Sequence, residues 1–334
     1  MRLVQIQHKQ LGRKVARVDE PLLTLINGFS SVFDIADHCL AIGESLTQVI
    51  AKKISNDTLS YDQIYTGRSA WHLLPAFDHP RDPLHCMLSG TGLTHKASAE
   101  NRHKMHEAQE KMKLTDSMKI YEWGVQWGKP PKNAVGIQPE WFYKGNGTNL
   151  KGHGVPLEVP IFADDGGEEP EVAGIYLIDK NGVPHRLGIA ATNEFSDHVM
   201  ERKNYLYLAP SKIRSCSLGP ELVLDSDFED ISGHVSIRRK GVVVWEKDIQ
   251  TGEANMSHSL ANLEYHHFKY PNHLVPGQVH IHFYGADAFS FGDGFQLQHN
   301  DLMEIAWKGL GRPLVNPISI VDGEEKMMQI SELS

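Results

Sequence analysis

From Pro156 onward the apolar residues fall into short runs of strand length: LEVPIF, EVAGIYLID, HRLGIAATNEF, ELVLDS, HVSIRRKGVVVWEKDI, PGQVHIHFYGADAFSF and DLMEIAWKGLGRPLVNPI. Turn-forming triplets such as Lys180-Asn181-Gly182 and Arg239-Lys240-Gly241 separate the runs, which predicts antiparallel pairing in a closed or rolled sheet. The opening RLVQIQ predicts a further strand, and apolar residues at helical spacing from roughly Ser31 to Lys53 predict a helical stretch. The chain therefore divides into a small N-terminal α/β part, residues 1–85, and a larger, mainly β part, residues 86–334. Between them AFDHPRDPLHCMLSGTG, punctuated by proline and glycine, reads as a linker.

One segment breaks this pattern. THKASAENRHKMHEAQEKMKL, from Thr94 through Leu114, lacks proline and glycine, is built of helix formers and carries Thr94 as an N-cap candidate. Its apolar content is too thin for a core helix, so it is either a solvated surface helix or a mobile cover over a polar site. The stretch that follows, EWGVQWGKPPKNAVGIQPEWFYKGNGTNLKGHG, is rich in Gly, Pro and aromatics and predicts irregular loops around a pocket mouth.

Composition narrows the function classes. With 334 residues, 40% hydrophobic and 22% charged, the chain has the make-up of a soluble globular protein, and no run approaches the roughly 20 apolar residues of a membrane span. MRLVQIQHKQLGRKV lacks the apolar core of a signal peptide, so the expected compartment is the cytoplasm. Cys39, Cys86 and Cys216 are too few and too scattered for a disulfide framework, and Cys216 has no base beside it to make it a nucleophile. A formal net charge of -9 argues against a nucleic-acid surface.

The candidate chemistry lies in carboxylates. Glu169 and Glu171 alternate on a predicted strand and so project to one face, and Glu194 on a neighbouring strand can complete an oxygen-lined site for a hard cation. The pairs His266-His267 and His280-x-His282 invite a zinc reading, but no third or fourth ligand accompanies them, so His280 and His282 read as one polar strand face with Tyr284. His198 and Glu201 in SDHVME read as one face of a short helix.

The order PEWFYKG, LEVP, EEPEVAG, TNEFS, SLGPELVL, PGQVHIHFYG, HNDLMEI and LGRPLVNP resembles the fumarylacetoacetate hydrolase superfamily, over a span from about Leu88 to Pro317. Within it, TNEFSDHVMERKNYLYLAPSKIRSCSLGPELVL is similar to the bacterial L-2-keto-3-deoxyarabonate dehydratases. The resemblance implies a mixed β-sandwich roll and a homodimer. It also implies a divalent metal, Mg²⁺ with Mn²⁺ as a substitute, held on three carboxylates and chelated by a 2-keto acid. Glu169 and Glu171 match the first two ligands, and Glu194 stands where the family has Asp, one methylene longer in reach.

The resemblance further places Lys212, Lys144, Asn193 and His198 near the substrate, His198 at a position where relatives carry arginine. Tyr284 and Ala286 replace family threonines on the substrate side, which leaves Tyr284 as the candidate contact there. Superfamily hydrolases activate water with a His-x-x-Glu pair; here Glu100 remains but Ala97 stands at the histidine position. His95 is two residues earlier, about 200° away on a helix. The broken pair favours a dehydratase, with Lys212, Glu100, His95 and Ser98 as candidate catalytic groups. Rival readings are a carbon-carbon bond hydrolase of acylpyruvate type, a 2-keto acid decarboxylase, and a binding protein that uses the three acids for structural Ca²⁺.

Overall fold

The computed structural model describes residues 1–106 and 115–333. Among them two mixed sheets carry the fold. The larger runs in the order Ile54–Ser60, Leu22–Ile26, Gly12–Asp19, Arg2–His8, Leu222–Val223, Pro184–Asn193, Pro170–Ile178, Val279–Phe283, Cys86–Gly90 and Phe142–Asn146, with three short strands attached at its sides. The smaller runs Val242–Thr251, Ile231–Arg239, Leu302–Trp307, Leu314–Ile320 and Leu157–Val159. The expected mainly β architecture with an α/β start is what the chain adopts. No described helix is long and apolar enough to cross a membrane.

The strand alternation is used on both faces. Ala173, Ile175 and Leu177 pair with Phe283, Ile281 and Val279 and bury one face against Val32, Phe33, Ile35 and Ala36 of the helix Val32–Ile42. Val172, Ile189 and Tyr284 point the other way, into a second core with Val235, Ile305 and Trp307 of the smaller sheet. The helical stretch from Ser31 divides in two because Gly43 adopts a left-handed conformation at the first C-terminus and Ser45 with Gln48 forms a capping box that starts Leu46–Lys53.

Four expectations are corrected. The linker segment is not a linker throughout: Cys86–Gly90 is a buried strand parallel to Val279–Phe283, and Phe77 is fully buried. Proline and glycine punctuate its ends, and the strand between them was too short to register as a periodic run. Pairing is also not uniformly antiparallel, since Cys86–Gly90, Leu150–Lys151 and Leu157–Val159 each join a parallel partner. Thr94 does not cap the polar helix; its hydroxyl donates to the Tyr284 carbonyl at 2.7 Å, and the helix begins at Lys96. That helix is described through His106, so the remainder of the predicted span lies outside the described residues. The expected loop region opens with a helix, Asp116–Trp127.

Hydrogen bonding does not stop at residue 85. Arg2–His8 pairs with Leu222–Val223, which in turn pairs with Ile189. Beside this junction the buried Glu221 accepts from Arg2 Nη1 at 2.9 Å, the Tyr61 hydroxyl at 2.9 Å and the Arg312 backbone N–H at 3.0 Å. Replacing it by alanine leaves the buried Tyr61 hydroxyl without its acceptor and takes the carboxylate partner from Arg2, so Glu221→Ala is expected to cost roughly 2–4 kcal/mol in urea unfolding. An unchanged urea midpoint would show that the junction does not depend on this carboxylate.

Candidate metal centre

Glu169 and Glu171 flank the start of Pro170–Ile178, where the register pairs Pro170 with Asn193 and Glu171 with Thr192. The Glu194 backbone N–H donates to the Glu169 carbonyl at 3.0 Å, which sets the third acid beside the first two across the strands. All three side chains are buried, and one oxygen from each lies within 4.8 Å of the others. The E-x-E alternation and the neighbouring strand thus converge as the sequence predicts. Glu168, pointing to the opposite face, is held by the backbone and hydroxyl of Ser290 and takes no part.

Gly285 closes one side of the group. Its N–H donates to Glu171 Oε2 at 2.7 Å from a backbone with φ of 102°, and a β-carbon there would meet the Thr94 hydroxyl at 2.0 Å. Only glycine satisfies both demands.

Two lysines answer the negative charge. Lys212 Nζ donates to Glu169 Oε1 and Glu194 Oε2, each at 2.7 Å, and to the Ser196 hydroxyl at 3.0 Å. Lys144 Nζ donates to the Phe195 carbonyl and lies 2.7 Å from Glu194 Oε1. Burial alone would lower the Lys212 pKa, but Glu169 and Glu194 outweigh it and raise it. For Lys144 burial wins over the single Glu194 partner and the pKa falls. Burial, with the charges of Glu194 and Glu169 next, pushes Glu171 well above the usual carboxylate range. Glu169 goes the other way: burial raises it, and Lys212 with His198 more than reverses that.

His198 Nε2 is 3.0 Å from Glu169 Oε1, and its ring stacks on Phe289 at 4.7 Å with the planes 7° apart. Burial depresses its pKa, and the Glu169 hydrogen bond and charge override this and raise it. Asn193 Oδ1 accepts from the backbone N–H groups of Glu169 and Phe195, both at 3.2 Å. His198 and Asn193 therefore hold the acids in place, where the resemblance implied substrate contacts.

A small cavity opens on Glu169, Glu171 and Lys212, and Ser98, Arg102 and Glu201 also line it. Sequence reading missed Arg102 and took Glu201 as a bland helix face. Arg102 Nη1 donates to both oxygens of Glu140, at 2.7 and 3.0 Å, and Nη2 lies 2.9 Å from Glu201 Oε1. In the sequence Arg102 is one basic residue on a polar helix, and nothing there pairs it with acids so distant along the chain.

Besides Lys144, Asn193 and His198, three further candidates do not reach the cavity wall. Glu100 is half exposed and faces Lys96 at 3.6 Å, one turn back on its own helix. His95 is buried between the Thr94 hydroxyl, 3.0 Å from Nδ1, and the Thr251 hydroxyl, 3.2 Å from Nε2, and burial pushes its pKa down to about 3. Tyr284 turns its hydroxyl to that of Tyr176, at 2.6 Å, inside the second core. Cys216 is fully buried, with its thiol pushed up to about 12 by burial, which fits no nucleophile.

His280 and His282 share a face, as expected, but it is buried. His267 accepts at Nδ1 from the Trp141 indole at 3.1 Å, so its Nε2 carries the proton that reaches His280 Nδ1 at 2.9 Å. His282 is held by Ser89 and Thr91, each at 2.9 Å. The rings satisfy one another and form no metal group; among the described residues Glu169, Glu171 and Glu194 are the one cluster able to hold an ion.

Comparison of shape finds solved structures of the same fold. A 2-keto-3-deoxy-D-arabinonate dehydratase in its apo form superposes with a TM-score of 0.70 at 19% identity, over 97% of this chain and 100% of that one. The enzyme of that name complexed with magnesium and 2,5-dioxopentanoate gives 0.69 at 18% identity, over 97% and 100%. A 5-carboxymethyl-2-hydroxymuconate delta-isomerase from Mycobacterium smegmatis gives 0.58 at 18% identity, over 97% and 100%. No protein-family model and no curated protein matches the chain. At these identities the likeness shows the fold, and it is the fumarylacetoacetate hydrolase-type fold that the sequence resemblance implied.

The histidine cluster sets an acid limit. In an unfolded chain these rings titrate near pH 6.5, whereas burial holds His280 and His282 down to about 3. The unfolded state binds more protons between those values, so stability is full above about pH 6.5 and declines as pH falls toward 3. Melting temperature is expected to drop over that window, and less steeply in the double variant His280→Gln, His282→Asn. Parallel slopes in the two proteins would exclude the cluster as the cause.

Proposed function

We propose that this protein is a metal-dependent dehydratase of a small 2-keto acid, converting 2-keto-3-deoxy-L-arabonate to 2-oxoglutarate semialdehyde with Mg²⁺. The observation that carries this reading is the buried triad of Glu169, Glu171 and Glu194, converging within 4.8 Å, with Glu169, Glu171 and Lys212 lining a cavity. The residues fit the ion. Three hard oxygen donors face inward, and the buried Glu194 Oε1 lacks a hydrogen bond of acceptable geometry. Glu171, pushed toward its protonated form by burial and by the charges of Glu194 and Glu169, would ionise as a cation replaced that proton. A hard divalent cation bound there supplies Lewis-acid stabilisation of the enolate that forms when a 2-keto acid loses a C3 proton.

The chain's own groups do the rest. Lys212 and Lys144 keep Glu169 and Glu194 in position, and Ser98 and Arg102 on the polar helix line the cavity beside them. The dehydratase likeness adds support, since a structure of this fold is complexed with magnesium and 2,5-dioxopentanoate. Against water-dependent cleavage of an acylpyruvate stands His95, packed between two threonines and off the cavity wall.

Turnover of 2-keto-3-deoxy-L-arabonate, read through an aldehyde dehydrogenase specific for the semialdehyde, is expected with Mg²⁺ and is expected to vanish with EDTA. Cleavage of an acylpyruvate alone in a parallel assay would replace this reading with the hydrolase. Glu171→Gln is expected to lose Mn²⁺ binding, seen by electron paramagnetic resonance, together with at least about 100-fold in turnover. Full activity in that variant would dismiss the triad as the metal site.

A further inference from the structure

Loss of water from a 3-deoxy-2-keto acid needs a group that removes the C3 proton and a group that protonates the departing C4 hydroxyl. Outside the triad, the described cavity wall offers four side chains with protons to exchange: Ser98, Arg102, Lys212 and Glu201. Arginine stays charged at any pH of interest. Ser98 donates to the His95 carbonyl at 3.1 Å and has no base beside it. Lys212 is bridged between Glu169 and Glu194 by two 2.7 Å bonds and serves them. Glu201 is the one carboxylate on that wall, among the described residues, that does not belong to the triad.

Its setting suits proton transfer. Glu201 is 2% exposed, and Arg102 Nη2 lies 2.9 Å from its Oε1 at an angle that makes no proper hydrogen bond. Arg102 is in turn fixed by both oxygens of Glu140, so a guanidinium anchored elsewhere supplies positive charge to Glu201 without blocking it. One turn of the helix His198–Lys203 puts His198 and Glu201 on the same side, so the residue that braces Glu169 and the one that lines the cavity are set by a single element.

We propose that Glu201 is the proton-transfer residue of the reaction, with Arg102 as its positioning residue; the inference rests on the dehydratase reading above. Glu201 takes the C3 proton while the C3–H electron pair moves into the C2–C3 bond of the enolate. The enolate then returns that pair to form the C3–C4 double bond as the C4–O bond breaks, and the leaving hydroxide takes the proton from Glu201. One water departs and the carboxylate is restored; the 5-hydroxy-2-oxo-3-enoate left behind is an isomer of the semialdehyde, reached when a C5 proton is lost, C3 is reprotonated and the resulting C4–C5 enol ketonises, so no oxidant or reductant is involved.

The test separates proton abstraction from elimination by using 2-oxobutanoate, which has C3 protons and no leaving group. With Mg²⁺ in D₂O, wild-type protein is expected to exchange the C3 protons, followed by proton magnetic resonance. Glu201→Gln is expected to slow exchange at least about 100-fold while Mn²⁺ affinity and melting temperature stay near wild type. Wild-type exchange in Glu201→Gln would overturn the assignment and leave the dehydratase reading standing. If wild-type protein binds Mn²⁺ but never exchanges 2-oxobutanoate, both the reading and the assignment fall. Should Glu201→Gln fail to fold or to bind Mn²⁺, Glu201→Asp decides by the same measure: slowed exchange supports the role and an unchanged rate overturns it.

Discussion

Three carboxylates buried within 4.8 Å of one another are the constraint on which the site depends. Each ionised pair at that separation repels by at least about 3 kcal/mol at an effective dielectric of 20, and burial penalises every charge further. Such a group persists only with compensation built around it. Lys212 and Lys144 supply two ammonium groups, the Gly285 N–H and the Ser196 hydroxyl supply hydrogen bonds, and His198 adds a second contact to Glu169. Even so Glu171 is pushed well up. The protein alone leaves the site short of positive charge, and the three oxygens stand close enough together to hold a cation.

The sheet provides the rigidity this compensation requires. Pro170–Ile178 lies at the centre of the larger sheet, between Pro184–Asn193 and Val279–Phe283, with apolar cores on both faces. The triad sits at the end of this strand, where chain leaves the sheet and side chains from several elements can meet. Glu171 receives its N–H from the residues just past Val279–Phe283, and Glu194 follows directly on Pro184–Asn193. The helix carrying Ser98 and Arg102 follows the neighbouring strand Cys86–Gly90. Elements that are far apart in the chain therefore open onto one cavity because their strands are adjacent.

Local patterns were legible where one periodicity dominated. The period-two runs gave the long strands, and the same alternation put Glu169 and Glu171 on one side and Val279, Ile281 and Phe283 opposite His280 and His282. Short elements between prolines and glycines were not legible, Cys86–Gly90 above all, because five residues carry too little pattern to outweigh their breakers. On the polar helix Ser98 faces the cavity as expected, and Glu100 does not. Glu100 and Arg102 differ by two positions, about 200° of helix, so only one could turn inward, and burial of Arg102 by Glu140 and Glu201 chose it.

Sequence by itself determined the mainly β architecture and the E-x-E pair with a third acid on the next strand, since each follows from residue type and spacing within a few strands; the lysines near them came only from the family resemblance. Only the tertiary structure decided what surrounds these acids. That Lys212 bridges Glu169 and Glu194, that His95 is locked between threonines while Glu201 lines the cavity, and that Arg102 ties Glu201 to Glu140 are contacts across long sequence separations. They are fixed by strand adjacency and by the cost of burying an unpaired charge, and neither quantity is written in any local window of the chain.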